Sequence, residues 1–308
     1  MKLDHGNLTD SLVKWFNKYI DDMKTSGYQS GTIELYSRVI NDFIDYANDY
    51  IDEYNIEDIN RLFINGYLLE KGKSLNKNTE ATYLRIIKTF FVFISDNNKE
   101  GVDFRHIFKK IKIKVPKRLH SYLTEDQVIR LLNTLEKEKS KRNSYIAFRN
   151  AAMVKLMLYS GARVSEVINI KYSDIGVSDV DSSFYKIMII GKGNKQAPVY
   201  IKRELVDEEL EFMDSIRHYK KNDLVFASKT GRALSREGIY IIVKRLLKLS
   251  GINKTGVHIL RHTLAMRLAA RNVDILHIQK IMRHANIATT MIYAHSTETD
   301  SVKALEKI

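Results

Sequence analysis

The sequence predicts a mainly α-helical protein with one small antiparallel β-sheet, divided into two domains. With 2 prolines and 14 glycines in 308 residues, the chain has few of the residues that interrupt helices. Apolar residues recur at three-to-four spacing along most of it. The exception is a pair of β-rich runs, FYKIMII and QAPVYI, which flank the turn GKGN and predict a hairpin. Because the length exceeds that of the usual single domain, two domains are expected.

Four amphipathic helices are predicted before residue 97, and together they should form a small helical bundle over residues 8–96. Their predicted N-caps are Asn7 or Thr9, Ser30, Asn55, and Asn78 or Thr79. Gly27 is placed to end the first helix. The residues predicted to be buried in that helix are Leu12, Val13, Phe16, Ile20 and Met23.

The domain boundary is predicted near residues 112–122, which gives domains of 1–115 and 116–308. Pro116 ends regular structure, and Thr124 followed by two acidic residues is a strong helix start. A long apolar helix should end at Gly161, and a short one should begin at Ser165. The hairpin comes next. Further helices are predicted in ELVDEELEFMDSIRHY, in SREGIYIIVKRLLKLSG and in the stretch 258–293.

The chain carries a formal net charge of +13, and the charge is unevenly distributed. Residues 1–60 hold 5 Lys/Arg and 12 Asp/Glu, residues 61–115 hold 12 and 5, and residues 116–308 hold 33 and 20. A polyanion partner should therefore meet the C-terminal part most strongly. Charge alone leaves a solvated lysine-rich surface as an equal alternative.

Composition and motifs also exclude several classes of protein. The sequence has no cysteine, so it holds neither disulfides nor a thiolate metal site. It shows no signal-peptide pattern and no apolar run long enough to span a bilayer, so a cytoplasmic protein without a membrane partner is expected. The run GKGNK lacks the spacing of a P-loop or a dinucleotide fingerprint, so neither ATP nor NAD is expected.

The stretch from His258 to Tyr293 contains the strongest candidates for a reactive site. On one helix, His258, Arg261 and His262 project from nearly the same face. Zinc is disfavoured there because Ile259 stands where the zinc-hydrolase pattern requires a glutamate. A guanidinium can grip two phosphate oxygens, so Arg261 suits phosphoryl chemistry, with His258 able to move a proton.

Two residues about a hundred positions earlier fit the same chemistry. Arg163, in the turn SGAR, can supply a second phosphate clamp, although a surface ion pair with Glu166 is the simpler alternative. Lys192, at the hairpin tip, can donate a proton if nearby arginines lower its pKa, although most hairpin lysines are merely solvated. The phenol of Tyr293, with an ordinary pKa near 10, can become a nucleophile if it lies near two guanidiniums and a base takes its proton.

These motifs together resemble the tyrosine recombinases, the family of phage integrases and Xer-type enzymes. The matching segments are SGARVSE, GKGNK, HILRH, IMRHANIATT and IYAH, which cover residues 160–295. The sequence departs from the commonest pattern at Ala162, where a bulkier residue is frequent, and at Arg283, where glycine is frequent. Neither departure removes a reacting group. The N-terminal bundle resembles the family's SAM-like core-binding domain in size and helical pattern only.

The resemblance implies a catalytic role for each matching residue. Tyr293 would attack a DNA phosphodiester to form a 3′-phosphotyrosyl link, while Lys192 would protonate the departing 5′-hydroxyl. Arg163 and Arg261 would bind the non-bridging oxygens. In addition, His258 would accept a proton, His284 would hydrogen-bond the phosphate or support the pocket, and Glu166 would orient Arg163. No cofactor is implied, because the bond energy is stored covalently.

The resemblance also implies double-stranded DNA with a specific recombination site as the partner, bound by a dimer and exchanged in a tetramer. Little sequence precedes Leu8, so a two-domain Xer-type enzyme, acting in chromosome or plasmid dimer resolution, is favoured over a λ-type integrase. A viral or plasmid integrase, a type IB topoisomerase-like enzyme and a non-catalytic DNA-binding protein are the alternatives. The C-terminal residues Val302, Leu305 and Ile308 are predicted to dock on a neighbouring protomer. The candidate DNA contacts are Lys71, Lys73, Lys77, Lys112, Lys114, Lys117, Arg118, Lys195 and Arg283.

Overall fold

The computed structural model describes residue 3 and residues 7–50, 54–116, 121–191 and 196–293. The chain forms two compact units, residues 1–118 and 119–308. In the described part of the chain, no helix is long and apolar enough to cross a membrane. The predicted class, mainly helical with a small antiparallel sheet, is confirmed.

The N-terminal unit is a helical bundle. Its helices are α1 (Leu8–Thr25), α2 (Ser30–Asn48), α3 (Arg61–Gly72) and α4 (Lys77–Asn97). Short 3₁₀ turns lie at Ile56–Asp58 and Arg105–Phe108. The core between the helices is rich in aromatic rings, and α4 contributes two adjacent ones, Phe90 and Phe91. Close-packed rings of this size supply much of the apolar area that holds a small bundle together.

Four details of the bundle differ from the prediction. Ser30 is the first residue of α2, and Gln29 takes the N-cap position without a side-chain hydrogen bond. The buried face of α1 includes Leu8, Trp15 and Tyr19, while Val13 is exposed, because the apolar stripe follows positions 8, 12, 15 and 19. Asn55 caps only a 3₁₀ turn, whereas the Asn60 side chain accepts the backbone N–H groups that begin α3. In the same way, α4 is capped by Asn76 and not by Asn78 or Thr79.

The C-terminal unit opens with α5 (Glu125–Arg142), where Thr124 forms the predicted cap together with Gln127. Its other helices are α6 (Tyr145–Ser160), α7 (Val164–Val167), α8 (Asp207–Arg217), α9 (Arg236–Leu249), α10 (His258–Ala270), α11 (Ile275–Met282) and α12 (Ala288–Met291). Helix α6 is buried along nearly its whole length and forms the centre of this core. Gly161 ends it with φ of 65°, as predicted.

The sheet of this unit has three antiparallel strands in the order β1 (Ile175–Val177), β2 (Phe184–Ile190) and β3 (Gln196–Lys202). Strands β2 and β3 are the predicted hairpin, with Ile187 opposite Val199. Strand β1 was not predicted, since three residues containing a glycine carry no alternating pattern. Ile187, Ile189, Val199 and Ile201 are buried, so one face of the sheet joins the core.

Candidate active site

The turn after α6 places Arg163 against Glu166. Arg163 stands at the start of α7, where its backbone N–H donates to Oε2 of Glu166 at 2.6 Å and its guanidinium donates to Oε1 at 2.8 Å. Glu166 is only 3% exposed. Burial alone would raise the pKa of Glu166, but the Arg163 amide and the charges of Arg163 and Arg283 outweigh it and hold that pKa below its ordinary value. The pair is therefore a buried one and not the surface pair that the sequence allowed as the simpler alternative.

Arg283 brings a second guanidinium to the same carboxylate. It ends α11 in the left-handed conformation, with φ of 50°, and its Nη2 donates to Oε2 of Glu166 at 2.8 Å. Its carbonyl oxygen accepts a hydrogen bond from Arg163 at 3.1 Å. The side chain is 15% exposed, and burial lowers its pKa. Arg283, predicted as a DNA contact, thus lies within the arginine cluster.

Arg261 projects inward from α10. Its guanidinium donates to the carbonyl oxygens of Gly161 and Met282, and the residue is only 5% exposed. Burial, together with the positive charges of Arg163 and Arg283, lowers the pKa of Arg261 to about 9. The group still carries its charge at neutral pH, so the site concentrates positive charge.

His284 lies beside this cluster as a neutral imidazole. Burial and the three guanidinium charges lower its pKa to about 4. Its Nδ1 is 2.8 Å from Oγ1 of Thr290 on α12, and its ring lies nearly parallel to that of Tyr293, with centroids 6.5 Å apart. An uncharged imidazole fixed in this way can donate one hydrogen bond to a phosphate without adding charge.

Tyr293, which follows α12, is 3% exposed and packs in a small apolar cluster with Leu264, Ile278 and Met282. Its hydroxyl contacts Nδ1 of His262. The positive charge of Arg261 lowers the pKa of this phenol, but it is not the larger effect. Burial raises the pKa of Tyr293 and outweighs the opposing effect of Arg261. The phenol is therefore neutral and needs a proton acceptor before it can attack.

His262 is the site residue that the sequence interpretation missed, having considered it only as a metal ligand. The available signal was its place directly after Arg261, which turns it toward the neighbouring side of α10. His258 begins that helix and is exposed. Lys192, Lys195, Lys117, Arg118 and the tail residues Val302, Leu305 and Ile308 all lie outside the described residues.

The predicted DNA-contacting lysines of the N-terminal unit fall into two groups. Lys71 lies 2.8 Å from Asp42, and Lys77 lies 2.6 Å from Glu80, so both are already in ion pairs. The hydrogen bond to Asp42 raises the pKa of Lys71. The other described members of the set, Lys73, Lys112 and Lys114, are exposed, as is Lys77.

Three carboxylates come together elsewhere in the described part of the C-terminal unit, those of Glu136, Glu208 and Glu209. Lys139 lies within 2.8 Å of all three, and Lys155 lies 2.7 Å from Glu209. Because ammonium groups already contact these oxygens, the cluster is an ion-pair network that ties α5, α6 and α8 together. It makes a poor cation site.

The sequence matches two family models. Residues 121–300 match the phage integrase family, and residues 11–92 match the phage integrase SAM-like domain. The tyrosine recombinase XerH of Campylobacter jejuni is 30% identical over 286 residues, which covers 90% of this chain and 78% of that protein. The tyrosine recombinase XerD of Oceanobacillus iheyensis is 30% identical over 282 residues, covering 88% and 90%.

Solved structures show the same fold. The XerH site-specific recombinase bound to difH substrate in a pre-cleavage complex superposes with a TM-score of 0.85 at 21% identity, covering 99% of this chain and 98% of that one. A λ integrase dimer on a COC′ core site superposes with a TM-score of 0.65 at 18% identity, covering 90% and 96%. On the evidence of the family match and these relatives, the chain belongs to the phage integrase family and is a tyrosine recombinase of the Xer type.

Proposed function

We propose that this recombinase cuts and rejoins DNA at a specific site through a 3′-phosphotyrosyl link to Tyr293. The observation that carries the proposal is the convergence of three guanidiniums on the Gly161–Glu166 turn. The Gly161 carbonyl accepts hydrogen bonds from Arg261 and Arg283, and Glu166 binds Arg163 and Arg283. The positive charge of Arg261 acts to lower the pKa of the Tyr293 phenol.

Each residue has a proposed part in the reaction. Arg163 and Arg261 bind the two non-bridging oxygens, where negative charge builds up in the transition state. A single such donor typically contributes about 10²–10³ in rate. His284 donates a hydrogen bond to the phosphate, and Glu166 orients Arg163. Lys192 protonates the departing 5′-oxygen, and the family pattern gives His258 as the proton acceptor, a role that is reassigned below.

The proposed substrate is double-stranded DNA carrying a recombination site, bound by a dimer, with strand exchange in a tetramer of the same chain. Residues 1–115 would serve as the core DNA-binding domain, and residues 116–308 as the catalytic domain with its tail. The exposed lysines and the net charge of +13 suit a polyanion. No cofactor is required, since the phosphotyrosyl bond keeps the energy of the broken linkage. We place the reaction in the cytoplasm.

We favour resolution of chromosome or plasmid dimers as the biological role, since the relatives reported above are named XerH and XerD. Viral or plasmid integration is the alternative within the family. The two roles differ in their DNA. Dimer resolution joins two copies of one site on a circular replicon, whereas integration joins two different sites.

Covalent capture tests the proposal on DNA of unspecified sequence. Purified protein is incubated with sheared genomic DNA of the encoding organism and denatured, and DNA attached to protein is sequenced. The expected result is a recurrent cleavage position with protein on the 3′ end, absent for Tyr293→Phe and retained for Tyr200→Phe, which alters an exposed tyrosine. Adduct formed by Tyr293→Phe, or none formed by the unaltered protein, would contradict the mechanism.

A further inference from the structure

We infer that His262, and not His258, is the general base that takes the phenolic proton of Tyr293 during strand cleavage. The inference rests on the proposed function and assigns one step of it. Its basis is a contact between two side chains: Nδ1 of His262 lies against the hydroxyl oxygen of Tyr293, the atom that would attack phosphorus. The two rings are tilted by 44°, with centroids 6.0 Å apart.

The fold fixes this contact from both sides. Helix α10 buries Arg261 and Thr263, the latter donating to the Ile259 carbonyl and accepting from the Leu123 amide. The rotation of the helix is thereby set, and His262 faces the end of α12. On the other side, Thr290 is buried and contacts His284, which holds the segment leading to Tyr293. The imidazole and the phenol therefore lie on neighbouring segments that buried hydrogen bonds hold in place.

The chemistry of the pair fits proton transfer. A neutral imidazole with its hydrogen on Nε2 presents a lone pair at Nδ1, and a phenol can donate to it. An imidazole is basic enough to accept a proton near neutral pH, and general bases placed in this way typically contribute about 10²–10⁴ in rate. Tyr293 needs such help because its burial disfavours the phenolate.

The other charged and titratable groups around the pair are less suited to the step. Arg261, on α10, is a cation and cannot accept a proton. Nδ1 of His284 is engaged with Thr290, and its pKa of about 4 makes that ring a weak base. Arg163 and Arg283 are joined to the carboxylate of Glu166. The charge of Arg261 favours developing negative charge on the phenol oxygen.

His258 stands one helical turn before His262, about 6 Å along the axis, at the exposed beginning of α10. Its position suits contact with a phosphate oxygen from outside. His258 and His284 therefore hydrogen-bond the phosphate, and the nucleophile's proton passes to His262.

The Tyr293 oxygen forms a bond to phosphorus as its proton passes to Nδ1 of His262, which becomes an imidazolium. The bond between phosphorus and the 5′-oxygen breaks, and that oxygen keeps the electron pair and takes a proton from the general acid, proposed as Lys192. In rejoining, the 5′-hydroxyl attacks phosphorus and returns its proton to the acid. The departing phenolate recovers its proton from His262.

The kinetic test compares three variants on a nicked duplex carrying the captured cleavage site, with the rate of covalent adduct formation measured from pH 6 to pH 10. His262→Ala removes the base, His262→Asn keeps a hydrogen-bonding group near the Nδ1 position without basicity, and His277→Ala alters an exposed histidine on α11. We expect His262→Ala and His262→Asn both to fall by about 10²-fold at pH 7. The deficit should shrink with rising pH, because hydroxide increasingly ionises the phenol. His277→Ala should match the unaltered protein.

Several results would overturn the inference while leaving the proposed function intact. One is a rate for His262→Ala equal to or above that of the unaltered protein. Another is full recovery by His262→Asn, which would show that the contact only positions the phenol. Loss of adduct in the unaltered protein would instead contradict the recombinase mechanism itself.

A second measurement reads the protonation state in the unaltered protein and uses variants only to assign the resonance. Nitrogen-15 NMR of the histidine side chains in the unaltered protein distinguishes a protonated from an unprotonated ring nitrogen. We expect an unprotonated, hydrogen-bonded Nδ1 in His262 at pH 7.5. Its resonance is assigned by its absence from the spectrum of His262→Asn. The resonance should shift in Tyr293→Phe, which removes the hydroxyl that contacts it. A proton residing on Nδ1 would make this nitrogen unable to act as the base.

Discussion

Arg283 donates a hydrogen bond of 2.8 Å to Oε2 of Glu166 from a left-handed backbone position at the end of α11. The other oxygen of that carboxylate binds Arg163, also at 2.8 Å. One buried anion therefore holds two guanidiniums, and Arg261 adds a third positive charge nearby. Three cations against one anion leave an excess of positive charge at the place proposed for a phosphate. Glu166 keeps the cluster together while no phosphate is bound.

Glu166→Gln is expected to destabilise the C-terminal unit by about 2 kcal/mol at pH 7. Removing one partner of a fully buried ion pair costs about 3–5 kcal/mol, and we reduce that figure because the Arg163 side chain is 35% exposed. Urea unfolding followed by circular dichroism measures the change. Glu204→Gln, which removes an exposed ion pair with Lys202, is the matched control and should change stability little.

The stabilisation that Glu166 contributes should depend on pH. The pKa of Glu166 in the folded protein lies below its ordinary value of 4.5, so its stabilisation is fully present above that pH. It is lost as pH falls through the folded-state pKa. The difference between Glu166→Gln and the unaltered protein should therefore shrink in acid. A difference that stays constant from pH 7 to pH 3 would show that the charge of Glu166 is unimportant.

His284 is expected to remain neutral throughout the physiological range. Its pKa of about 4, depressed by burial and by three arginines, means that the unfolded chain takes up this proton below about pH 6.5 while the folded protein does not. This contribution to stability is present above pH 6.5 and is lost as pH falls toward 4. A proton NMR titration of the imidazole should show no transition between pH 5.5 and pH 8.

Arg283→Asn tests whether nearby charge depresses the pKa of His284, because asparagine tolerates the left-handed backbone but carries no charge. Removing one of the depressing charges should move the His284 transition to higher pH. Arg271→Asn, which alters an exposed arginine outside the set that depresses His284, is the control. An unchanged His284 transition in Arg283→Asn would mean that burial alone sets the pKa.

Gly161→Ala should destabilise the C-terminal unit more than Gly251→Ala does. Gly161 has φ of 65°, and an added Cβ would lie 3.1 Å from Leu264 and 3.2 Å from Met282. The left-handed conformation costs an alanine roughly 1–2 kcal/mol, and crowding in a packed core adds about 1–3 kcal/mol. Gly251→Ala shares the conformation, with φ of 66°, but meets only the flexible end of Arg130. Thermal unfolding of the two variants measures the cost of crowding as the difference between their unfolding temperatures. Equal decreases in unfolding temperature would contradict the prediction.

The parts of the fold that sequence predicts well are those fixed by neighbouring residues. Thr124 with Gln127 forms a capping box, and Gly161 adopts the conformation that ends a helix. The β2–β3 hairpin depends on alternation within two short neighbouring runs. Errors arise where several polar residues compete for one role, as Asn55 and Asn60 do before α3. Propensity does not rank such candidates, since tertiary packing chooses among them.

The candidate site was less predictable because its chemistry depends on burial. Sequence motifs place Tyr293 near guanidiniums, but only the packed structure shows that burial, which raises its pKa, outweighs the charge of Arg261. The charge of Arg283 suggests a surface contact, whereas its left-handed position turns the side chain onto Glu166. The contact between His262 and Tyr293 joins residues 31 positions apart, which no local pattern encodes.

The lysines of the N-terminal unit should differ in their contribution to DNA affinity according to whether they are already paired. Lys112 and Lys114 are exposed, whereas Lys71 and Lys77 contact Asp42 and Glu80. A lysine that neutralises a phosphate releases a counterion, so each such contact steepens the dependence of log K on log salt by about 0.9. A lysine that must first break an ion pair with a carboxylate contributes less to DNA affinity.

We therefore expect the double variant Lys112→Gln/Lys114→Gln to bind duplex DNA more weakly, with a salt slope shallower by about 2. Lys71→Gln/Lys77→Gln should change the slope by less than about 1 and should lower the unfolding temperature of the N-terminal unit instead, because it breaks two ion pairs. Fluorescence anisotropy on labelled duplex DNA between 50 and 300 mM NaCl measures the slopes. Equal slopes for the two double variants would show that pairing in the free protein does not determine which lysines meet the phosphates.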